Sequence, residues 1–338
     1  MSLQPKFKVT GELVDGLEVI AELRIRLATA VIQVPWVPKL QKDSRQRGAH
    51  ASTAIEGNPL TLPEVRVLEA GGELERRTER SQREVLNYFA GLRWVEKRAK
   101  RKTRITHEDL FRLHKRLGVG VMDQGAAGRY RTIPVRVGRH TPPEPAMVSG
   151  LMRELLDWWN GPSGEWSPVL TSAILHYQFE EIHPFADING RAGRMLALWE
   201  LYRRGFDTHH IFAVDEFYWE DRPRYYTGLA GVNRKGGDLT GWLEYTTAGL
   251  RQTLERVWLR VQQLAAGQPR PMVLTPRQEQ LLHLLRESES LTPREIWAAL
   301  GVTRQGAALI LRPLLEAKLI HRQGTRKNGR YILTPLEI

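Results

Sequence analysis

The chain has 338 residues, no cysteine, and a net charge of +12 from 50 basic and 38 acidic residues. Hydrophobic residues make up 41% of it and charged residues 26%, a composition typical of folded rather than disordered proteins. The lack of cysteine excludes disulfides, thiolate metal sites and a cysteine nucleophile. No apolar run approaches the roughly 18 residues that suggest a membrane span, and residues 1–20 lack the pattern of a secretory signal. We therefore expect a cytoplasmic protein with no membrane partner.

The excess charge is concentrated in two windows. Residues 93–104 hold seven basic residues and one acidic residue, and residues 301–330 hold the same numbers. Together these windows account for the whole net charge of +12. Such clusters are found on surfaces that bind phosphate backbones or acidic partners, and also on ordinary solvated surfaces.

Helical patterns dominate the first 266 residues. Residues 130–137 are the exception: they alternate in character after Gly128 and predict a short hairpin or an extended flap. A helical bundle with one such flap is a mainly α fold. Apolar periodicity and capping signals predict the helices over 11–31, 39–55, 62–70, 81–97, 106–117, 146–159, 167–182, 192–204, 222–232 and 239–266.

A smaller domain follows a linker. Two prolines and a glycine within residues 267–271 mark the linker. Beyond it we expect three helices and two strands, with Pro313 bending or breaking the third helix. Three helices and a hairpin resemble a winged helix–turn–helix domain. The predicted divisions are 1–75 (N-terminal helices), 76–266 (core), 267–271 (linker) and 272–338 (winged helix).

Residues 183–194, between two predicted helices, carry groups suited to phosphate chemistry. His183 ends the first helix, where an imidazole with a pKa near its usual value of about 6.5 can act as a general base. Asp187 is a hard oxygen ligand of the kind that Mg²⁺ prefers. The first turn of the next helix offers free N–H groups and guanidinium groups that attract anions. The residues of this turn are Asn189, Gly190, Arg191 and Arg194.

In order and spacing this segment resembles the signature of the Fic family, H-x-F-x-D/E-G-N-G/K-R-x-x-R. The matching positions are His183, Phe185, Asp187, Asn189, Gly190, Arg191 and Arg194. The resemblance covers about residues 10–265 and implies transfer of AMP from ATP to a Ser, Thr or Tyr hydroxyl of a target protein. It implies that His183 deprotonates the hydroxyl, that Asp187 holds Mg²⁺ on the phosphates, and that Phe185 anchors the loop in the core. It assigns nucleotide binding to Asn189, Gly190, Arg191, Arg194, Tyr226 and Asn233.

One position departs from the signature. Ile188 stands where the pattern has glycine. A β-branched residue at positive φ is an outlier, so either the loop keeps a negative φ here or its phosphate-binding geometry is altered. This leaves open whether AMP or another group is transferred.

A second motif lies near the end of a predicted helix. Ser52 and Glu56 are four residues apart on one helix face, and Glu56 meets the negative end of the helix dipole, so a positive group should compensate it. Many Fic proteins carry an inhibitory S/T-x-x-x-E-G/N motif, which Ser52, Glu56 and Gly57 match. The resemblance implies that Glu56 pairs with Arg194 and obstructs the γ-phosphate within the same chain.

Two further surfaces are implied. In the Fic family the flap pairs with the target segment, and here its residues are Thr132, Ile133 and Val135. In the C-terminal domain, DNA binding would place the start of the third helix in a major groove and the hairpin tip on phosphates. The DNA-binding candidates are Thr303, Arg304, Gln305, Arg326, Lys327 and Arg330. Winged helices that bind proteins are the alternative.

We therefore expect a Mg²⁺- and ATP-dependent protein adenylyltransferase that modifies another protein or itself, autoinhibited by the pairing of Glu56 with Arg194. Two alternatives stay open. One is a DNA-binding transcriptional regulator whose Fic core is a sensor or modifies itself. The other is a Fic enzyme that removes AMP or transfers another nucleotide. A homodimer also stays open.

Overall fold

The computed structural model describes residues 3–29, 36–75, 77–101, 103–138, 140–206, 209–266, 275–288, 290–316, 319–324 and 329–334. The chain divides into two compact units, Met1–Val261 and Gln262–Ile338. Within the described ranges, no helix combines the length and apolar character needed to cross a bilayer. The predicted linker, 267–271, lies outside the described residues.

The first unit is built from helices, which confirms the mainly α prediction. Each predicted helix is present with ends shifted by a few residues, and only the short α9 and a 3₁₀ turn at Pro162–Glu165 were not predicted. The helices are α1 (Gly11–Thr29), α2 (Trp36–Ile55), α3 (Leu62–Glu69), α4 (Glu79–Ala99), α5 (His107–Gly118), α6 (Pro145–Asn160), α7 (Pro168–Ile182), α8 (Asn189–Arg203), α9 (Asp215–Glu220), α10 (Arg222–Arg234) and α11 (Thr240–Ala266).

Helices α7 and α8 pack along each other at the centre of this unit. Each of these two helices has buried residues on all of its faces, so neither shows the apolar stripe of a surface helix. Trp199 of α8 lies edge-to-face between Trp94 and Trp159, with ring centroids 5.2 and 5.3 Å apart. The fully buried Glu200 accepts a 2.6 Å hydrogen bond from Trp159 Nε1. This packing fixes the loop that joins the two helices.

The flap is irregular and is not a regular hairpin. Among the described residues of 130–140, the only β pairing is an isolated bridge between Val137 and His140. Thr132 and Ile133 are exposed.

The second unit has three helices followed by a hairpin, as predicted. They are α12 (Pro276–Ser288), α13 (Pro293–Leu300), α14 (Arg304–Glu316), β1 (Ile320–Gln323) and β2 (Arg330–Leu333). The strands pair antiparallel, with Ile320 opposite Leu333, and Leu291 forms an isolated antiparallel bridge with Tyr331.

Pro313 does not break α14, which continues to Glu316. The proline removes one hydrogen bond to the carbonyl group of Leu309. Leu309 is 77% exposed, so water can satisfy that carbonyl group on the outer side of the helix.

Candidate active site

A cavity of about 790 Å³ opens beside the loop between α7 and α8. Residues from α2, the flap, this loop, α8 and α10 surround it, so segments far apart in sequence meet here. The flap side of the cavity is formed by residues 136–138 and 140, and the predicted docking residues Thr132, Ile133 and Val135 lie outside its lining. The predicted site residues that line the cavity are Glu56, His183, Asp187, Asn189, Gly190, Arg191, Arg194, Tyr226 and Asn233.

His183 ends α7 in a left-handed conformation, with φ at 48°. Its backbone N–H donates to the carbonyl oxygen of Phe179 at 2.9 Å. Its own carbonyl oxygen accepts a 2.8 Å hydrogen bond from Arg131 Nε. The imidazole is therefore held at the cavity wall by a helix end on one side and by the flap on the other.

Arg131 is a residue that the sequence interpretation missed. Its guanidinium is buried and binds the carbonyl oxygens of Ile182, His183, Ile133 and Pro143. Burial lowers the pKa of this guanidinium, which lacks an ion pair among the described residues. Arg131 thus ties the flap to the loop.

Asp187 is oriented by two backbone donors. Its Oδ1 accepts from the N–H of Ile188 at 2.6 Å and its Oδ2 accepts from the N–H of Asp123 at 2.9 Å. Each carboxylate oxygen retains a lone pair beyond these bonds. The carbonyl oxygen of Asp187 lies 3.0 Å from Nε2 of the buried His114, which also stacks on Phe185.

The tautomer of His114 follows from its two partners. Its Nδ1 accepts from the N–H of Gly128 at 2.9 Å, so Nε2 carries the proton that it donates to Asp187. Burial lowers the pKa of His114 to about 4, because no solvent stabilises the imidazolium. The neutral His114 therefore holds the loop through its hydrogen bond to Asp187 and its stacking on Phe185.

Ile188 keeps the left-handed conformation that the family pattern assigns to glycine, with φ at 65°. Of the two outcomes left open by the sequence, a negative φ is wrong. The side chain is only 4% exposed and packs near Gly118, and this burial offsets the backbone strain.

Asn189 closes the loop on itself. Its Oδ1 accepts from the N–H of Phe185 at 2.9 Å, and its Nδ2 donates to the carbonyl oxygen of the same residue at 2.8 Å. The side-chain amide that was predicted to bind nucleotide is engaged in holding the loop.

Arg191 is a buried guanidinium with spare donors. Its Nη1 lies 3.8 Å from Glu84 Oε1, and both Nε and Nη1 are buried without a hydrogen-bond partner. Burial lowers its pKa, although the charge of Glu84 opposes this effect. Buried N–H groups without acceptors are costly, so this side chain is suited to an anion in the cavity.

Arg194 is 2% exposed and makes the predicted contact with Glu56. Its Nη2 donates to Glu56 Oε1 at 2.8 Å, while its Nε donates to Ser52 Oγ at 3.0 Å. Burial alone would lower the pKa of Arg194, but the charges of Glu56, Tyr225 and Asp215 together outweigh it and raise the pKa. A β-carbon at Gly190 would collide with Glu56 Oε1, so the glutamate carboxylate lies against the first turn of α8.

Residues 104–201, which include this loop, match the model of the Fic/DOC family. This part of the chain is therefore similar to a Fic domain. It is 34% identical over 209 residues to protein adenylyltransferase fic-1 of Caenorhabditis elegans, an alignment that covers 61% of this chain and 39% of that protein. It is 30% identical over 219 residues to protein adenylyltransferase Fic of Drosophila willistoni, covering 64% and 42%. The chain thus spans about two fifths of the length of these curated relatives.

Solved structures share the fold. A Fic family protein from Desulfovibrio desulfuricans G20 superposes with a TM-score of 0.69 and 28% identity, over 99% of this chain and 100% of that one. Residues 134–508 of Fic-1 from C. elegans superpose with a TM-score of 0.64 and 25% identity, over 75% of this chain and 72% of that one.

Behind the Fic motif lies a second carboxylate that the sequence interpretation missed. Asp215, at the start of α9, is buried and accepts a 3.1 Å hydrogen bond from the hydroxyl group of Tyr88. It also bonds to the side chain of Ser52 and attracts Arg194. Burial raises the pKa of Asp215, and Arg194 opposes the shift.

Helix α10 supplies the opposite wall of the Fic cavity. Tyr226 is 38% exposed there, while the neighbouring Tyr225 is buried with its hydroxyl group 3.4 Å from Arg194 Nη1. Asn233 Nδ2 donates to Glu181 Oε2 at 2.7 Å. The side of the cavity where Tyr226 and Asn233 were predicted to bind nucleotide therefore contains an exposed aromatic ring and an amide fixed by a carboxylate.

The second unit places its DNA-binding candidates as follows. Thr303 caps α14 by accepting from the N–H of Gly306 at 3.2 Å, and Arg304 and Gln305 are exposed beside it. Arg330 Nε donates to Ser290 Oγ at 3.0 Å. Arg326 and Lys327 lie outside the described residues.

Proposed function

We propose that this chain is a protein adenylyltransferase that transfers AMP from ATP to a side-chain hydroxyl of a target protein or of itself. The observation that carries the proposal is the grouping of His183, Asp187 and the partly unpartnered guanidinium of Arg191 along one cavity. Relatives at 30% and 34% identity bear the name protein adenylyltransferase. This cavity offers a base, a carboxylate and an anion cradle to a nucleoside triphosphate.

In this reaction His183 removes the proton from the attacking hydroxyl. The oxygen attacks the α-phosphorus of ATP, the bond from that phosphorus to the bridging oxygen breaks, and pyrophosphate leaves. Arg191 and the N-terminus of α8 neutralise the phosphate oxygens, because buried guanidinium and free N–H groups bind anions strongly in a cavity of low dielectric constant.

Asp187 suits Mg²⁺. Its carboxylate is fixed by two backbone donors and lines the cavity with lone pairs left over. Magnesium binds one or two carboxylates together with substrate phosphates, so a single carboxylate beside a phosphate-binding cavity is suited to it. When bound, Mg²⁺ would reduce the negative charge on the phosphates.

Glu56 inhibits the transfer in this proposal. Its carboxylate occupies Arg194 and lies against Gly190, where a phosphate group would otherwise bind. A carboxylate and a phosphate cannot share this site, because their charges repel. Removal of Glu56 should therefore strengthen ATP binding and release the activity.

The test is mass spectrometry of the Glu56→Gly protein incubated with Mg²⁺ and each nucleotide in turn. We expect an adduct of AMP on the protein itself or on added target protein, several-fold more than in wild type. Glu75→Gly removes an exposed carboxylate from the loop between α3 and α4 and should form as little adduct as wild type. Glu56→Gly combined with His183→Ala should form no adduct.

A folded Glu56→Gly protein that forms no adduct would contradict the proposal. An adduct from another nucleotide would identify a different transferred group, and loss of AMP from a modified target would identify the reverse reaction.

The flap is proposed to hold the target segment. Ile133 is 40% exposed and Val137 37% exposed, and among the described residues of the flap β pairing is limited to the bridge between Val137 and His140. An extended backbone with few internal pairings can add a strand from a partner.

A DNA-binding role for the second unit is a separate candidate function. It is supported by the three helices with an antiparallel hairpin and by exposed Arg304 and Gln305 at the start of α14. Binding to mixed DNA fragments should weaken steeply with salt, since phosphate contacts release counterions. Undetectable binding at low salt, or binding that added salt leaves unchanged, would contradict this role.

A further inference from the structure

A carboxylate faces the proposed base from one turn earlier on α7. Glu180 Oε2 lies 3.6 Å from His183 Nδ1, and the two side chains are only 13% and 15% exposed. His183 Nδ1 and Glu180 Oε1 are both buried without a hydrogen-bond partner. Buried polar atoms are normally paired, so two unsatisfied groups side by side at a cavity wall require an explanation.

Helix α8 leaves room for this carboxylate. A β-carbon at Gly193 would collide with Glu180 Oε1 and come within 3.2 Å of Phe179. Glycine is unfavourable within a helix by about 0.5–1 kcal/mol relative to alanine. Because Gly193 has no side chain, it leaves the space that the Glu180 carboxylate occupies beside His183.

The orientation of the imidazole follows from burial. Nδ1 is buried, yet the side chain lines the cavity, so the Nε2 edge is the edge presented to a substrate. Arg131 holds the backbone of His183 through its carbonyl oxygen. A small rotation of either side chain therefore suffices to bring Nδ1 and the carboxylate into hydrogen-bonding distance, as catalytic groups often do when substrate binds.

We propose that Glu180 is a positioning residue for His183. Its carboxylate keeps the proton of the neutral imidazole on Nδ1 and leaves the lone pair of Nε2 free for the hydroxyl. When the hydroxyl proton moves to Nε2, Glu180 stays ionised and stabilises the imidazolium ion, while the hydroxyl oxygen bonds to the α-phosphorus and pyrophosphate leaves. The inference rests on the proposed function for the hydroxyl step, and the contact of the two side chains can be tested without that step.

The first measurement is an NMR titration of the His183 side-chain nitrogens. Glu180→Gln removes the negative charge that faces Nδ1, so the imidazolium form of His183 should be less favoured than in wild type and the share of the Nδ1–H tautomer should decrease. Gly193→Ala should act in the same direction because the methyl group displaces the carboxylate. Glu108→Gln, which removes an exposed carboxylate on α5, should leave the titration of His183 as in wild type.

Other charged groups surround the base, but they are the same in wild type and variant, so the difference isolates Glu180. They line the same cavity or, in the case of Arg131, bond to the backbone of His183. These groups are Glu56, Arg80, Glu84, Asp123, Arg131, Arg136, His140, Glu181, Asp187, Arg191 and Arg194.

The second measurement is transfer kinetics in the Glu56→Gly background. Glu180→Gln should lower kcat on the order of ten- to a hundredfold, keep the KM for ATP within about twofold, and move the acidic limb of the pH profile to lower pH. Glu180→Asp should restore part of kcat. An unchanged His183 pKa in Glu180→Gln overturns the inference even if the protein transfers AMP. If the pKa shifts but no variant transfers a group, the side-chain coupling stands and the proposed function fails.

Discussion

Two residues in left-handed conformations bracket the active-site loop. His183 has φ at 48° and Ile188 has φ at 65°. Such residues store about 1–3 kcal/mol each, and they persist only where the surroundings fix them. Arg131 fixes the first through its carbonyl group, and burial fixes the second. The strain is therefore located where the chain must turn to expose the base and the start of α8.

Ile188 allows backbone strain to be separated from burial. Ile188→Gly and Ile188→Ala both remove the buried side chain, but alanine retains the left-handed penalty of about 1–2 kcal/mol and glycine does not. We expect both variants to be less stable than wild type. The free energy of unfolding of the glycine variant should be about 1 kcal/mol larger than that of the alanine variant. Urea unfolding followed by tryptophan fluorescence measures this difference. An alanine variant as stable as the glycine variant would show that the left-handed conformation is not maintained in solution.

Arg194 illustrates how a buried charge is maintained. Glu56 neutralises it from the cavity side, while Asp215 lies behind it and also binds Ser52 and Tyr88. In the proposed reaction, where a nucleotide displaces Glu56, Asp215 remains as a counter-charge. The guanidinium can therefore exchange one partner without losing its orientation.

Asp215→Asn should be destabilising, because the carboxylate accepts hydrogen bonds from Tyr88 and Ser52 and asparagine leaves one of these buried hydroxyl groups without its acceptor. Leaving a buried hydrogen-bonding group unsatisfied costs about 1–3 kcal/mol, whereas an exposed ion pair contributes about 0–1 kcal/mol. Asp123→Asn is the matched control, since Asp123 pairs with Arg80 while its side chain is 65% exposed. We expect the unfolding free energy to fall by about 2 kcal/mol for Asp215→Asn and by less than about 1 kcal/mol for Asp123→Asn. Equal effects of the two substitutions would contradict the role of Asp215.

The sequence identified the loop residues because they are contiguous and their order is specific. It also predicted the Glu56–Arg194 contact, but only through the family resemblance. Asp215 and Arg131 were not predictable, because their partners come from segments distant in sequence. A buried arginine that binds only carbonyl groups has the same sequence signature as an exposed one.

At the level of elements, the flap is held by separate contacts, those of Arg131 above all, rather than by a sheet. Periodicity predicts helices well because each helix repeats its pattern over several turns. The six-residue α9 is too short for such a pattern. The alternating pattern at 130–137 suggested a hairpin, but the structure holds the segment through Arg131, and β pairing there is limited to Val137 and His140 among the described residues.

Arg131→Met should release the flap. The substitution preserves a long side chain but removes every donor to the carbonyl groups of Ile182, His183 and Pro143. We expect faster hydrogen exchange in peptides covering 130–143 and 183–188. Arg136→Met is the control, because Arg136 is exposed and bonds only within its own turn, to Gly138, among the described residues. Unchanged exchange in Arg131→Met would mean that the flap is anchored by other contacts.

At the scale of the whole molecule, the net charge of +12 is partly engaged in internal contacts. In the first basic window Arg98 is buried against Asp109 at 2.8 Å, and Arg104 pairs with Asp157 at 3.1 Å. In the second window Arg312 pairs with Glu316 at 2.8 Å. Because Asp109 and Asp157 lie outside the first window, the local excess of positive charge in residues 93–104 overstates the unpaired charge available to polyanions there.

Buried neutral histidines should dominate the acid sensitivity of the first unit. Burial lowers the pKa of His114 to about 4, and that of His176 to about 3. Both have an ordinary value of about 6.5 when exposed by unfolding. The unfolded chain therefore binds more protons than the folded chain below pH 6.5, and acid favours unfolding. Asp215, whose pKa is raised by burial, acts in the opposite direction.

The unfolding free energy should therefore be constant above about pH 7 and should fall as the pH drops from 6.5 towards 4, by up to about 1.4 kcal/mol per pH unit for each histidine. His176→Phe tests this, because the ring at this position packs among Tyr218, Tyr225 and Trp242 and phenylalanine preserves that packing without titrating. Urea unfolding between pH 7.5 and 4.5, read by tryptophan fluorescence, reports mainly the first unit, since Trp297 is the sole tryptophan in residues 262–338. The variant should show a shallower slope, by about 1.4 kcal/mol per pH unit at most. A slope equal to that of wild type would mean that His176 titrates normally in the folded protein.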